Sequence, residues 1–138
     1  MSEADNVAVL KEAYRRWHDS RGGSADYFMS ICAENVKFGS LAQGASAMAF
    51  ATQYNSRQVL HGYFDGLRAD WEMIHYTAEQ YVAQGDAVFM RGSCAWRHRR
   101  TGKIVDTPKA DFWRFENGKA VEFFEYFDTA RAFAAASD

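Results

Sequence analysis

Only one proline and two cysteines occur in this chain of 138 residues, so neither ring constraints nor cross-links can be its main source of stability. Cys32 and Cys94 lie far apart in sequence and form no CxxC pair, which argues against a disulfide framework and fits a reducing cytoplasm. Four histidines, at 18, 61, 75 and 98, show no HExxH or CxxC-type grouping, so no metal is expected. No stretch approaches the roughly 18 consecutive apolar residues of a membrane span. The start, MSEADN, lacks the charged and apolar regions of a secretion signal. A net charge of -2 offers no long-range attraction for nucleic acid or an anionic membrane. The basic run Arg97-His98-Arg99-Arg100 is the exception, and the Thr101-Gly102 beside it predicts a solvated hairpin tip rather than a phosphate contact.

What is abundant is apolar and aromatic: 48% of residues are hydrophobic and 16% are Phe, Trp or Tyr. A chain of this size and composition has the apolar surface for one folded domain, residues 1–138. Val7, Leu10, Tyr14 and Trp17 are spaced three, four and three apart, which predicts an amphipathic helix with Asp5 as its N-cap, closed by Arg21-Gly22-Gly23. Ser24 is placed to cap a short second helix carrying Phe28, Ile31 and Cys32 on one face. VKFGS, residues 36–40, predicts a brief strand. Residues 41–55 are small and polar and predict a loop with about one helical turn, bordering a pocket mouth through Met48 and Phe50. Val59, Leu60, Tyr63, Phe64 and Leu67 restore a helical face, with Ser56 as cap.

After Asp70 the texture changes to runs rich in Val, Tyr, Phe and Trp, broken at Gln84-Gly85-Asp86, Arg100-Thr101-Gly102 and Glu116-Asn117-Gly118. Such breaks predict hairpin turns, hence four long strands at 71–84, 87–99, 103–116 and 119–128, followed by a short helix at TARAFAAA. Helices first and antiparallel strands afterwards indicate an α+β fold with the helices on one face of a curved sheet.

Several motifs carry a resemblance that spans nearly the whole chain. ADFWRFENGKAVEF resembles an Asp-x-Phe-Arg-Phe strand, a Gly-Lys turn and the strand after it, as found in the family of ketosteroid isomerase and nuclear transport factor 2, especially its SnoaL-like polyketide cyclase and ketosteroid isomerase-related branches. EYFDTA, EAYRRW and CAENVKF add weaker likenesses. The resemblance implies a cone, in which a strongly bent sheet wraps a helix and leaves an apolar pocket at its open end. It also implies a small cytoplasmic enzyme without a cofactor, acting on an apolar, carbonyl-bearing or polycyclic molecule by isomerase, cyclase or hydrolase chemistry. Asp111 falls where the family has its pocket acid or base, and Tyr14 where the isomerase has an oxyanion donor. The isomerase's general-base aspartate is matched by Ser40, and a serine cannot shuttle a proton between carbons as a carboxylate does. That departure favours an alternative, a hydrophobic-ligand-binding module of the same fold that catalyses nothing.

Strand alternation puts Asp111 on the face of Trp113 and Phe115, with Phe112 and Arg114 opposite. A carboxyl group among rings loses hydration, which would favour its neutral form; the competing reading is a mouth-side aspartate paired with a surface arginine. On the next strand Val121, Phe123, Glu125 and Phe127 share a phase, and Glu125 faces the pocket unless a bulge turns it to solvent. His75 lies on a strand whose two phases both carry aromatics, so it could face either side; a histidine, as the side-chain type used for proton transfer near neutrality, would suit an accessory catalytic role. Tyr14 could equally be a packed core residue, and His18, one turn on, a half-exposed rim residue. The expected pocket wall is Trp17, Phe28, Phe38, Ser40, Phe64, Trp113, Phe115, Phe123 and Phe127. Phe89, Phe112, Phe124 and Tyr126 fall on the convex side, a patch too apolar to lie bare, which predicts a homodimer through the sheet.

Overall fold

A capping box starts the first helix. In the computed structural model, which describes residues 2–138, Ser2 Oγ accepts from the Asp5 N–H while Asp5 carboxylate oxygen accepts from the Ser2 N–H, at 3.1 and 3.0 Å. The N-cap is therefore Ser2, and Asp5, expected in that role, is its partner one turn in. Serine and an acid three residues apart satisfy two orphan amides, where Asp5 alone would satisfy one. Helix α1, Glu3–Asp19, buries Leu10, Tyr14 and Trp17, with Val7 half-buried. Helix α2, Ala25–Ser30, points Phe28 inward, although Ser24 makes no side-chain cap bond.

Strand β1, Cys32–Ser40, starts four residues before the expected strand and runs parallel to the last strand, with an irregular register between Cys32 and Lys37. Its polar CAEN opening hid that extension, because only Cys32 and Val36 in this half are buried. Residues 41–55 hold a single 3-10 turn, Ser46–Met48, and a bridge from Tyr54 back to Phe38; Ala42, Met48, Phe50 and Ala51 are buried. Ser56 precedes a second 3-10 turn, Arg57–Val59, and makes no side-chain cap bond, so helix α3 begins only at His61 and ends at Asp70. The tighter turn throws Val59 to solvent, against the expected helical face, while Leu60, Tyr63, Phe64 and Leu67 are buried.

Strands β2, Trp71–Gln84, β3, Ala87–His98, β4, Ile104–Glu116, and β5, Lys119–Phe127, form an antiparallel meander within a residue of the expected ends. Asn117 and Gly118 both have positive φ, +50° and +79°, as a two-residue hairpin turn requires. The strand order is β1-β5-β4-β3-β2, one curved mixed sheet that does not close. Two register shifts bend β2, and at the second Gly92 packs against Thr77: a Cβ there would sit 1.9 Å from the Thr77 carbonyl oxygen. Helix α4, Thr129–Ala135, is capped by Asp128, whose side chain accepts from Arg131 N. The β3–β4 turn holds its other end, since Thr101 Oγ1 donates to Ala135 O and Arg100 to Ala136 O, both at 2.6 Å. Arg97, Arg99 and Arg100 are exposed at the turn as expected; Arg100 also holds the end of α4, and His98 within the run is buried. No helix among the described residues is long and apolar enough to cross a membrane.

Candidate active site

The concave face of the sheet and the inner faces of α1, α2 and α3 line a cavity of about 80 Å³, within about 730 Å³ of unfilled space that takes in the open mouth. Its wall is aromatic, and its charged groups are gathered in one cluster on β4 and β5. Val105, Thr107, Lys109, Asp111 and Trp113 follow one another along the inner phase of β4, all buried. Directly opposite on β5, Glu125 pairs with Asp111 and Phe123 with Trp113. The β4–β5 register does shift, but between Arg114 and Phe115, ahead of Phe123 on β5. The shift places Ala120 rather than Val121 in the core and leaves the inward phase of Glu125 intact.

Three hydrogen bonds engage both oxygens of Asp111. Its Oδ2 accepts from Tyr14 Oη at 2.5 Å and Tyr76 Oη at 2.8 Å, and its Oδ1 from Lys109 Nζ at 2.6 Å. Glu125 Oε1 accepts from Tyr63 Oη at 2.7 Å and stands 3.3 Å from Lys109 Nζ. Among the described residues its Oε2 makes no hydrogen bond. Lys109 also donates to Tyr76 Oη at 2.9 Å, and Trp113 Nε1 donates to Tyr14 Oη at 2.9 Å. One ammonium group is therefore held between two carboxylates, all three residues being at most 9% exposed.

Burial by itself would push Lys109 down, but the facing charges of Asp111 and Glu125 outweigh it and hold the amine well above its ordinary value. Lys109 is thus a cation and hydrogen-bond donor, not an amine nucleophile. Tyr14, Tyr63 and Tyr76 are raised well above the usual phenol range, first by burial and then by the carboxylates each faces, so all three remain protonated donors. Cys94, also on the wall, is pushed up to about 11 by burial, which leaves its thiol inert near neutrality.

Of the residues anticipated from sequence, Tyr14, Trp17, Phe28, Phe38, Phe64, Asp111, Trp113, Phe123, Glu125 and Phe127 line the cavity. Met48 does so too, which brings the 41–55 loop to the wall. Asp111 faces a lysine on its own strand, not a surface arginine. Three residues lie elsewhere. Phe115 is buried past Trp113 in the packed end of the cone. Ser40 is buried at the end of β1, where its Oγ accepts from Ala42 N at 3.2 Å. His75 is off the wall because the bulge between Met73 and His75 resets the alternation, so that Tyr76 turns inward and the His75 ring meets Thr77 Oγ1 at 3.1 Å. Tyr76 could not be found without that bulge. Lys109 could, since it stands two residues before Asp111 and so on the same strand face. Among the described residues no three His, Cys, Asp or Glu side chains are grouped to hold a metal.

The SnoaL-like domain model matches residues 10–123, the greater part of the chain. The protein belongs to the SnoaL-like domain family. Solved structures agree with the fold of a SnoaL-like protein. A nuclear transport factor 2-like protein of unknown function from Burkholderia pseudomallei superposes with a TM-score of 0.82 at 19% identity, over 100% of both chains. A second such protein, from Burkholderia thailandensis, gives 0.81 at 24%, again over 100% of both chains. A SnoaL-like polyketide cyclase assigned in Jannaschia gives 0.77 at 14%, over 98% of this chain and 93% of that one. No curated protein matches the sequence. At these identities the likeness carries the fold; the chemistry of this SnoaL-like chain has to be argued from its own cluster.

Proposed function

We propose that the cavity performs cofactor-independent acid–base chemistry, of isomerase, cyclase or hydrolase type, on a small apolar molecule bearing a carbonyl group. The observation that carries this is the Lys109 ammonium bridging Asp111 and Glu125 on an otherwise aromatic wall. Proton transfer needs a base with a free lone pair, and Glu125 Oε2 is the carboxylate oxygen without a partner among the described residues. Asp111, with both oxygens engaged, acts as the fixed counter-ion that aims Lys109, Tyr14 and Tyr76. The loosest contact of the Lys109 ammonium is the 3.3 Å one to Glu125, so that N–H is the one a substrate oxygen can capture. Glu125 would then take a proton from the carbon next to the carbonyl as negative charge moves onto the oxygen facing Lys109, and return it at a second carbon or after ring closure. Tyr63 holds Glu125 in place throughout.

Hydrogen–deuterium exchange at the acetyl methyl group of 2-acetylnaphthalene, followed by proton NMR in D2O, reads this step without knowledge of the natural substrate. The protein accelerates exchange, and Glu125→Gln removes about 10²-fold or more of that acceleration, the usual contribution of a placed general base. Absence of any acceleration by the unsubstituted protein would leave the second reading, a ligand-binding module. One observation favours that reading: the other carboxylate oxygens, the Lys109 ammonium and the three tyrosine hydroxyls of the cluster each already have a partner within the protein.

The convex face of the sheet supports a further part of the proposal, self-association. Val82, Phe89, Phe112 and Phe124 are successive register partners in a row across β2, β3, β4 and β5, and Tyr126 packs beside Phe124 with its ring tilted. Two free, buried thiols suit a reducing compartment, and we assign the protein to the cytoplasm on that basis.

A further inference from the structure

Trp71 opens β2 straight after α3, and its ring lines the cavity while being only 2% exposed. Its Nε1–H has no hydrogen-bond partner among the described residues. Two other buried side-chain atoms are unpaired, Asn6 Oδ1 and Ser24 Oγ, and neither residue lines the cavity. An indole N–H is a donor only, and leaving one unmade in a dry interior is costly enough that native folds seldom do so without a use for it. Trp113, on the same wall, shows the ordinary outcome, its N–H donated to Tyr14 Oη.

The strand register puts Trp71 at the opposite end of the cavity from the acid cluster. Trp71 pairs with His98 and Val105 with Trp96, whereas Asp111 pairs with Met90, so three alternations of β4, through Thr107 and Lys109, lie between. Nothing at this end supplies an acceptor. Val105 and Ala132 are apolar, Trp96 has only a donor, and the His98 ring, perpendicular to Trp71 at 4.7 Å, spends its Nδ1 lone pair on the Thr101 N–H.

We propose that Trp71 Nε1–H is a second polar anchor of the cavity, made for an acceptor oxygen of the ligand. The ligand class is then a rigid apolar molecule with oxygen at both ends: a carbonyl beside Lys109 and Glu125, and a keto, ether or ester oxygen against Trp71. This rests on the cavity being the ligand site, as argued above, and narrows what that site accepts.

Two isosteric probes separate the claims, 2-acetyl-6-methoxynaphthalene and 2-acetyl-6-ethylnaphthalene, which differ in whether the far end carries an acceptor. The methoxy probe binds about five- to tenfold tighter, as one hydrogen bond to a previously unpaired donor implies. In Trp71→Phe the two affinities become equal. In protein labelled with 15N-tryptophan, the indole N–H signal missing from Trp71→Phe moves downfield with the methoxy probe and not with the ethyl one. Should that variant fail to fold, single-site 15N labelling of Trp71 in the unsubstituted protein gives the same readout. Equal affinities with an unmoved indole signal overturn the Trp71 anchor and leave the cavity as a ligand site. Binding of neither probe overturns the cavity reading, and the anchor falls with it.

Discussion

Lys109 is the residue on which the cluster turns, since its one positive charge is shared by two buried carboxylates. Removing a partner from a buried ion pair strands the other charge, which costs about 3–5 kcal/mol. Lys109→Met, close in volume, is therefore expected to lower stability by about that much, measured by urea denaturation. Adding Asp111→Asn to it should cost less than the sum of the two single changes, because the pair is coupled. The pH dependence has a definite sign. Lys109, Tyr14, Tyr63 and Tyr76 all have folded values raised above their unfolded ones, so their stabilising contributions are complete below about pH 10 and are lost as pH rises beyond it. Melting temperatures recorded between neutrality and pH 11.5 should fall steeply only in the last part of that range. A steep loss beginning near pH 8 would show that the ammonium is not held by its two carboxylates.

At the level of elements, β2 decides what the cavity contains. Its fourteen residues lie against α1, and two register shifts bend it over the helix. The bend depends on Gly92, whose missing side chain lets β3 approach the Thr77 carbonyl. Gly92→Ala puts a methyl group where backbone already stands, and the sheet must shift to admit it. Overpacking of this kind costs about 1–3 kcal/mol, and the displaced Tyr76 would lose its bond to Asp111, so calorimetry should show a lower melting temperature together with weaker probe binding. The same strand marks where sequence reading stops. The hairpin turns and the ends of β2 to β5 follow from local chemistry, Gly among polar residues between β-branched and aromatic runs, and they were legible to within a residue. A bulge is set by how the sheet must curve over α1, a non-local demand with no local signature, and it exchanged His75 for Tyr76 on the inner face. Asp111 and Glu125 were legible because plain alternation holds along β4 and along β5 beyond the shift; Tyr63 was legible as a core residue but not as the partner of Glu125, 62 positions away.

For the molecule as a whole, inside and outside of the sheet pose opposite problems. The inner face buries charge among rings and resolves it by pairing within the chain. The outer face leaves rings exposed, with Phe89 at 45% and Tyr126 at 43%, and no described residue covers them from solvent. Phe89 lies 5.1 Å from Phe112 and Phe124 lies 4.9 Å from Tyr126, so the patch is continuous rather than scattered. Continuous apolar surface rimmed by charge, here Arg91, Arg114 and Glu122, is the pattern of an association site. A second copy packed face to face would cover all of it at once, because a two-fold axis between the two sheets and parallel to their faces brings the same row against itself. The expected result is a dimer of twice 15.7 kDa in sedimentation velocity at micromolar concentration. Phe89→Asp, which puts an unpaired charge in the middle of the row, should yield a monomer whose exchange activity on 2-acetylnaphthalene is retained, since Phe89 points away from the cavity. A monomeric parent protein at that concentration would remove the sheet-to-sheet dimer while leaving the cavity chemistry untouched.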